Sequence, residues 1–286
     1  MRGVALLYLF ILCGLTAIAV LPVGKVDLAQ LKAFEWPNSY NLDDDCKTQW
    51  LHFTNVNYCL RTYPDRPPQV ALLGDSHANM YFKGLGLHYA NLGENMVMMG
   101  KGGCAPFLDL KGPRGDQLRD QCEGIVNDVL NFVIFRESIH TVILTSRSPW
   151  NFNVTDEEFS GEYLRALRRT LERLTATKRV VFILDIPALG FDPRSCVKTR
   201  PLTWKEVRAP CSVHRDSMTS YQAAILKVLT DFPMVKVYDP TAALCDSTTC
   251  YAMKSGKMLY RDENHLSAEG SHWVVERMFG SSPAAN

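Results

Sequence analysis

The chain has 286 residues, of which 47% are hydrophobic and 21% charged, and its formal net charge is +1. These values exclude a disordered chain and leave no basic tract to hold nucleic acid. The length suits one main domain with a small appendage.

After Arg2, residues 3–23 are uncharged and mostly apolar as far as Lys25, about the length that crosses a bilayer as a helix. The stretch reads as a membrane anchor through residues 4–23. One rival is a signal peptide cleaved near Ala17-Ile18-Ala19; another is the last helix of a larger membrane protein. Val20, Leu21 and Val23 carry the apolar run past that cleavage site and favour the anchor. All three readings place the remaining residues across the membrane, in the periplasm or another extracytoplasmic space.

Cysteine usage agrees. Cys13 lies in the apolar stretch, and eight more follow it. An even number beyond a membrane segment points to disulfides in an oxidising compartment. The eight fall into successive couples, which predicts Cys46–Cys59, Cys104–Cys122, Cys196–Cys211 and Cys245–Cys250. There is no CxxC pair and no zinc-like spacing of imidazoles, so neither a metal nor a cofactor is expected.

Residues 24–69 lack sustained periodicity and contain Pro37, Pro64, Pro67 and Pro68. They read as an irregular linker arm clipped by Cys46–Cys59. From residue 70 to 280 strands and helices alternate, with a short tail at 281–286. Strands are expected at Val70–Leu73, Asn95–Met99, Thr141–Thr145, Val180–Leu184 and Val235–Tyr238. Helices are expected over 78–92, 115–137, 156–175, 217–230 and 267–279, the last capped by Ser267. This alternation predicts an α/β fold with a five-stranded parallel sheet covered on both faces.

Ligands bind such sheets at the carboxyl ends of the strands. The first strand ends in Gly74-Asp75-Ser76-His77, which puts the Ser76 hydroxyl at a mouth rather than in a core. Asp75 and Ser76 also suit a plain helix cap. A serine hydroxyl becomes a nucleophile only beside a positioned base. His265, in Asp262-Glu263-Asn264-His265, lies in a polar loop before the closing helix. Asp262 stands three residues earlier, within reach of the imidazole through one turn.

Gly74-Asp75-Ser76 near the start and Asp262-Glu263-Asn264-His265 near the end resemble the SGNH, or GDSL-like, hydrolase superfamily. The resemblance spans roughly residues 68–280. It implies a three-layer flavodoxin-like fold in which Ser76 is the nucleophile, His265 the acid–base and Asp262 its orienter. It also implies an oxyanion hole built from the amide of Ser76 and a glycine of Gly102-Gly103. The third family block departs from the pattern. Where an asparagine usually completes the hole, the chain reads Thr145-Ser146-Arg147-Ser148, so Arg147 or Ser146 is the replacement to test. Asp75, His77 and Asn79 are possible substrate contacts, with Asp75 also expected to orient the turn through backbone amides.

Together the GDSH turn, the Arg-bearing third block, the Cys in block two and Asp262-x-x-His265-Leu-Ser resemble one branch. It is the SGNH domain associated with bacterial acyltransferase-3 membrane proteins, which O-acetylate surface polysaccharides. By that resemblance, an acyltransferase-3 domain or subunit would deliver the acyl donor and a polysaccharide such as lipopolysaccharide would accept the group. The alternatives are a secreted SGNH carbohydrate esterase or deacetylase and a non-catalytic glycan-binding domain of the same fold.

Overall fold

A computed structural model describes residues 31–35, 46, 55–111, 121–148, 157–198, 207–215 and 220–280. The central sheet contains β1 (Tyr58–Arg61), β2 (Val70–Gly74), β3 (Met96–Gly100), β4 (Thr141–Thr145), β5 (Arg179–Ile183) and β7 (Lys236–Tyr238). Its strand order is β1-β3-β2-β4-β5-β7. The last five of these strands run parallel, in the order 2-1-3-4-5 when numbered along the chain. That is the doubly wound, flavodoxin-like order, and its topological switch point lies between β2 and β4.

The five expected parallel strands all form, each within a residue of its expected span. The sheet nevertheless has six strands, because β1 pairs antiparallel with β3 at the edge, Tyr58 opposite Gly100 through to Arg61 opposite Val97. β1 lies inside the stretch read as an irregular arm. It is only four residues long and has three consecutive buried positions, so it offers no alternation to read. The disulfide Cys46–Cys59 fastens it from behind.

Strands in a sheet covered on both faces should be apolar throughout, and alternate side chains here serve two cores. Ala71, Leu73, Val97, Met99, Val142, Leu144 and Phe182 face one layer. That layer holds α3 (Cys122–Phe135), α4 (Glu157–Thr175) and α5 (Ser220–Leu229). Val70, Leu72, Met96, Met98, Ile143, Val181 and Ile183 face the other. There they meet α2 (Phe82–Asn91) and α7 (Ala268–Phe279), which bring Leu85, Tyr89, Val274 and Val275. Ser267 caps α7 by accepting the Gly270 amide, as expected.

The single helix expected over 78–92 is split into α1 (Ser76–Asn79) and α2. The Tyr81 amide reaches back to the Ala78 carbonyl, a tight i−3 bond that narrows the chain between them. Among the described residues the remaining elements are a 3-10 helix (Pro193–Cys196), β6 (Ser212–His214), α6 (Thr241–Leu244), β8 (Thr249–Tyr251) and the hairpin of β9 (Met253–Lys254) and β10 (Lys257–Met258).

The disulfides pair as expected: Cys46–Cys59, Cys104–Cys122, Cys196–Cys211 and Cys245–Cys250. They close short spans, with sequence separations of 13, 18, 15 and 5 residues. The expected anchor at 1–23 and the tail at 281–286 lie outside the described residues. Among the described residues no helix is long and apolar enough to cross a membrane.

Candidate active site

The end of β2 is pressed against its neighbours. Gly74 lies opposite both Gly100 of β3 and Thr145 of β4. Its φ is +155°, in a region that favours glycine, and a Cβ built there would sit 1.9 Å from the Thr145 carbonyl oxygen. This approach aims the next residues out of the sheet. Asp75 then caps α1, accepting the His77 amide at 2.8 Å. Its carboxylate also accepts the Arg147 amide, at 3.1 Å and 3.3 Å to its two oxygens. Asp75 therefore ties the end of β2 to the end of β4, and Ser76 emerges across the switch point.

The base comes from the segment before α7, between β10 and the helix. The Asp262 carboxylate accepts the amides of Asn264 at 3.1 Å and His265 at 2.9 Å, which closes the turn from inside. Tyr260 donates its hydroxyl to the Pro187 carbonyl, and the Leu189 amide donates to the Glu263 carbonyl. The loop is thereby fastened to the segment leaving β5.

The three predicted catalytic side chains meet. Ser76 Oγ lies 2.8 Å from His265 Nε2. His265 Nδ1 lies 2.9 Å and 3.1 Å from the two Asp262 oxygens. The carboxylate holds the proton on Nδ1, so Nε2 presents its lone pair to the serine hydroxyl, which donates to it. Burial, reinforced by the nearby charge of His77, pushes His265 down to about 4 against the pull of Asp262. Burial would raise Asp262, but its bonds from His265 and from Arg261 hold it well below the usual carboxylate range.

Arg261 joins this group of side chains, and the sequence did not disclose it. Its side chain is among the largest fully buried ones, and it donates from Nε at 3.1 Å and Nη2 at 2.8 Å to Asp262. Asp185 is another: its Oδ1 lies 2.7 Å from Nδ1 of His77. Its place at the carboxyl end of β5 was the available signal; nothing marked Arg261 apart from its adjacency to Asp262.

Other predicted site residues fall differently. Asp75 and His77 are 2% and 1% exposed; Asp75 holds the turn and His77 is bonded to Asp185. Asn79 is buried as well. The Gly102 amide donates to Asn57 Oδ1 at 3.0 Å, an interaction that occupies it. Gly103 stands in the same turn with φ +74°. Ser146 is engaged too, its hydroxyl 3.1 Å from that of Tyr163. Arg147 keeps its place beside Asp75 through its amide. Among the described residues no group of His, Cys, Asp and Glu is gathered for a metal.

A family model described as "SGNH domain (fused to AT3 domains)" matches residues 44–279. The chain belongs to this SGNH-domain family. Among solved structures it is similar to the periplasmic domain of a lipopolysaccharide acetyltransferase from Salmonella ser. Paratyphi A. The identity is 19% and the TM-score 0.56, over 75% of this chain and 83% of that one. A structure described as a putative platelet activating factor from Streptococcus pneumonia is 12% identical with a TM-score of 0.49, over 88% of this chain and 98% of that one. No curated protein sequence matches. At 19% identity the Salmonella likeness speaks for the fold alone.

Proposed function

We propose that the chain is a serine O-acyltransferase of SGNH type, acting outside the cytoplasm on hydroxyls of a surface polysaccharide, with acetyl as the transferred group. The hydrogen-bonded series Ser76–His265–Asp262 carries this reading. His265 Nε2 takes the Ser76 proton as Oγ attacks the donor's carbonyl carbon. As the tetrahedral adduct collapses, the proton passes from His265 to the leaving atom and acyl-Ser76 remains. An acceptor hydroxyl then gives its proton to His265 and attacks the ester. Ser76 departs and regains its proton, so the serine and the base end as they began.

The developing oxyanion needs donors. The amide of Ser76 opens α1 and has no intrahelical acceptor. Gly103 and Arg147 are the further donors in this reading, with Gly102 left to Asn57. The fusion of this SGNH family to AT3 domains supports a membrane acyltransferase-3 domain or subunit as the source of the acyl group. The Salmonella likeness and the four disulfides support a periplasmic setting and a lipopolysaccharide-type acceptor. Anchoring through residues 4–23 belongs to the same proposal.

The test is a trapped intermediate. Mixing the full chain with p-nitrophenyl acetate is expected to leave one acetyl on the peptide containing Ser76, detected by mass spectrometry after an acid quench. Added polysaccharide should discharge it faster than water. Acetyl found on any other residue, or none at all, sinks the serine reading. Discharge that ignores added sugars favours an esterase.

The same assay has a defined pH profile. Protonating His265 removes the lone pair that accepts the serine proton, so acylation falls as pH drops through the value of the base. With His265 near 4, the burst rate should hold through pH 6 and reach half its plateau near pH 4. A midpoint near the unperturbed value of about 6.5 would contradict this arrangement.

A further inference from the structure

The acyl-transfer scheme uses one histidine–carboxylate pair, yet the site contains two. His77 follows the nucleophile directly, and its side chain is buried. Its Nδ1 lies 2.7 Å from Asp185 Oδ1. Asp185 is itself fixed: its Oδ2 accepts the Ser148 amide at 2.7 Å and its Oδ1 the Ile186 amide at 2.8 Å. Through these amides the carboxylate links the ends of β4 and β5, and the His77 ring is held against it. That ring lies 4.8 Å from the ring of His265, centroid to centroid, with the planes tilted by 56°.

The charges facing His77 come from every element packed around it. Asp75 precedes α1 and accepts the His77 amide; Asp185 follows β5; Arg147 follows β4 and acts on the ring as a positive charge. His265 stands on the remaining side, backed by Asp262 and Arg261. Burial pushes Asp75 up, against the pull of His77 and the bonds from the His77 and Arg147 amides. With Asp75 ionised, two carboxylates, one guanidinium and an imidazolium sum to zero around His77. A neutral His77 would leave one buried negative charge without compensation, which a low-dielectric interior penalises. We propose that His77, kept protonated by Asp185 and Asp75, is a positioning residue whose fixed positive charge holds His265 neutral and ready as a base in acidic surroundings.

The directions of titration agree with that geometry. Burial alone would lower His77, but Asp185, with help from Asp75, raises it above its ordinary value. His265 moves the other way, and after burial itself His77 contributes to its fall. The arrangement also shapes the chemistry. An imidazolium formed at His265 beside a second positive charge returns its proton readily, which favours each departure of a leaving oxygen. The inference rests on the acyl-serine reading for its role in catalysis, while the charge coupling between the two rings stands apart from it.

Two measurements separate these. Histidine ring resonances of the full chain, followed by NMR from pH 3 to 8 in wild type, His77→Gln and Asp185→Asn, report the coupling whether or not Ser76 is ever acylated. In wild type, His77 should remain an imidazolium while His265 is neutral across pH 5 to 7. In His77→Gln the His265 titration should rise by about two to three pH units, as expected for a charge at this range in an effective dielectric near 20, and in Asp185→Asn by less, because a negative charge leaves as well. The acid limb of p-nitrophenyl acetate acylation should move with it. The double variant should shift no further than His77→Gln alone, because once the His77 charge is gone Asp185→Asn removes only a negative charge.

If His265 titrates unchanged in both variants, or His77 is neutral in the wild type at pH 6, the proposal is wrong. A merely structural His77 would lower the acylation plateau and leave the limb where it is. If wild type shows the NMR pattern but never acylates Ser76, the failure belongs to the acyl-serine reading and not to the coupled pair.

Discussion

Replacing Ser76 by alanine is expected to abolish acyl-enzyme formation and lower acyl transfer by on the order of 10⁴–10⁶-fold, leaving the fold intact. The substitution removes one oxygen, whose partner is the His265 ring. Ser76 is partly exposed where α1 begins, and the cap of that helix is Asp75. Losing the hydroxyl therefore costs the domain little stability, and the thermal midpoint should stay within a few degrees. The decisive comparison is the acyl-transfer rate of Ser76→Ala against wild type, with circular dichroism on the same samples. A variant that kept transfer within tenfold of wild type would rule out Ser76 as the nucleophile.

Gly74→Ala is expected to have the largest effect on stability. A Cβ at this position meets the Thr145 carbonyl oxygen at 1.9 Å and the Ala78 side chain at 2.8 Å. The first of these atoms is backbone at the end of a central strand, so it has no rotamer through which to yield. The φ of +155° adds a conformation that L-residues rarely adopt. Together these should cost more than about 4 kcal/mol, beyond the usual range for a point substitution. Little folded variant should be recovered, and any that folds should place Ser76 poorly. Gly93→Ala is the control: its φ is +77°, but nothing lies within 4 Å of the added Cβ. It should lose only about 1–2 kcal/mol. Urea unfolding of both variants separates a dihedral cost from a collision, and equal losses would refute the packing argument.

The parallel strands were readable because each is buried on both faces, so its signal is a short apolar run ending in a turn. The triad was readable because two of its members share one turn and the third sits at a strand end. β1 was not, since four residues at an edge carry no period. The rest of the site depends on contacts made across the fold. His77 and Asp185 are 108 positions apart, and neither has a neighbour in sequence that betrays the pairing. Arg261 looks like any loop arginine until its side chain is found in the interior beneath Asp262. The Gly102-Gly103 turn stood out by its glycines, but Asn57, 45 positions earlier, engages one of its amides. Sequence spacing locates residues that share a loop; it is silent on which strand end will stand beside which.

The disulfides have a consequence for biogenesis. Each cysteine after the apolar stretch bonds the next one along the chain: first with second, third with fourth, and so on to the last. A chain entering an oxidising compartment from its N-terminal side exposes its thiols in that same order. An oxidase joining thiols as they arrive would thus produce the native connectivity directly. Isomerase-catalysed exchange through mixed disulfides, which crossed or nested pairings require, has no reshuffling to perform here. In an oxidising compartment, pairing in this order calls for an oxidant and not for a disulfide editor.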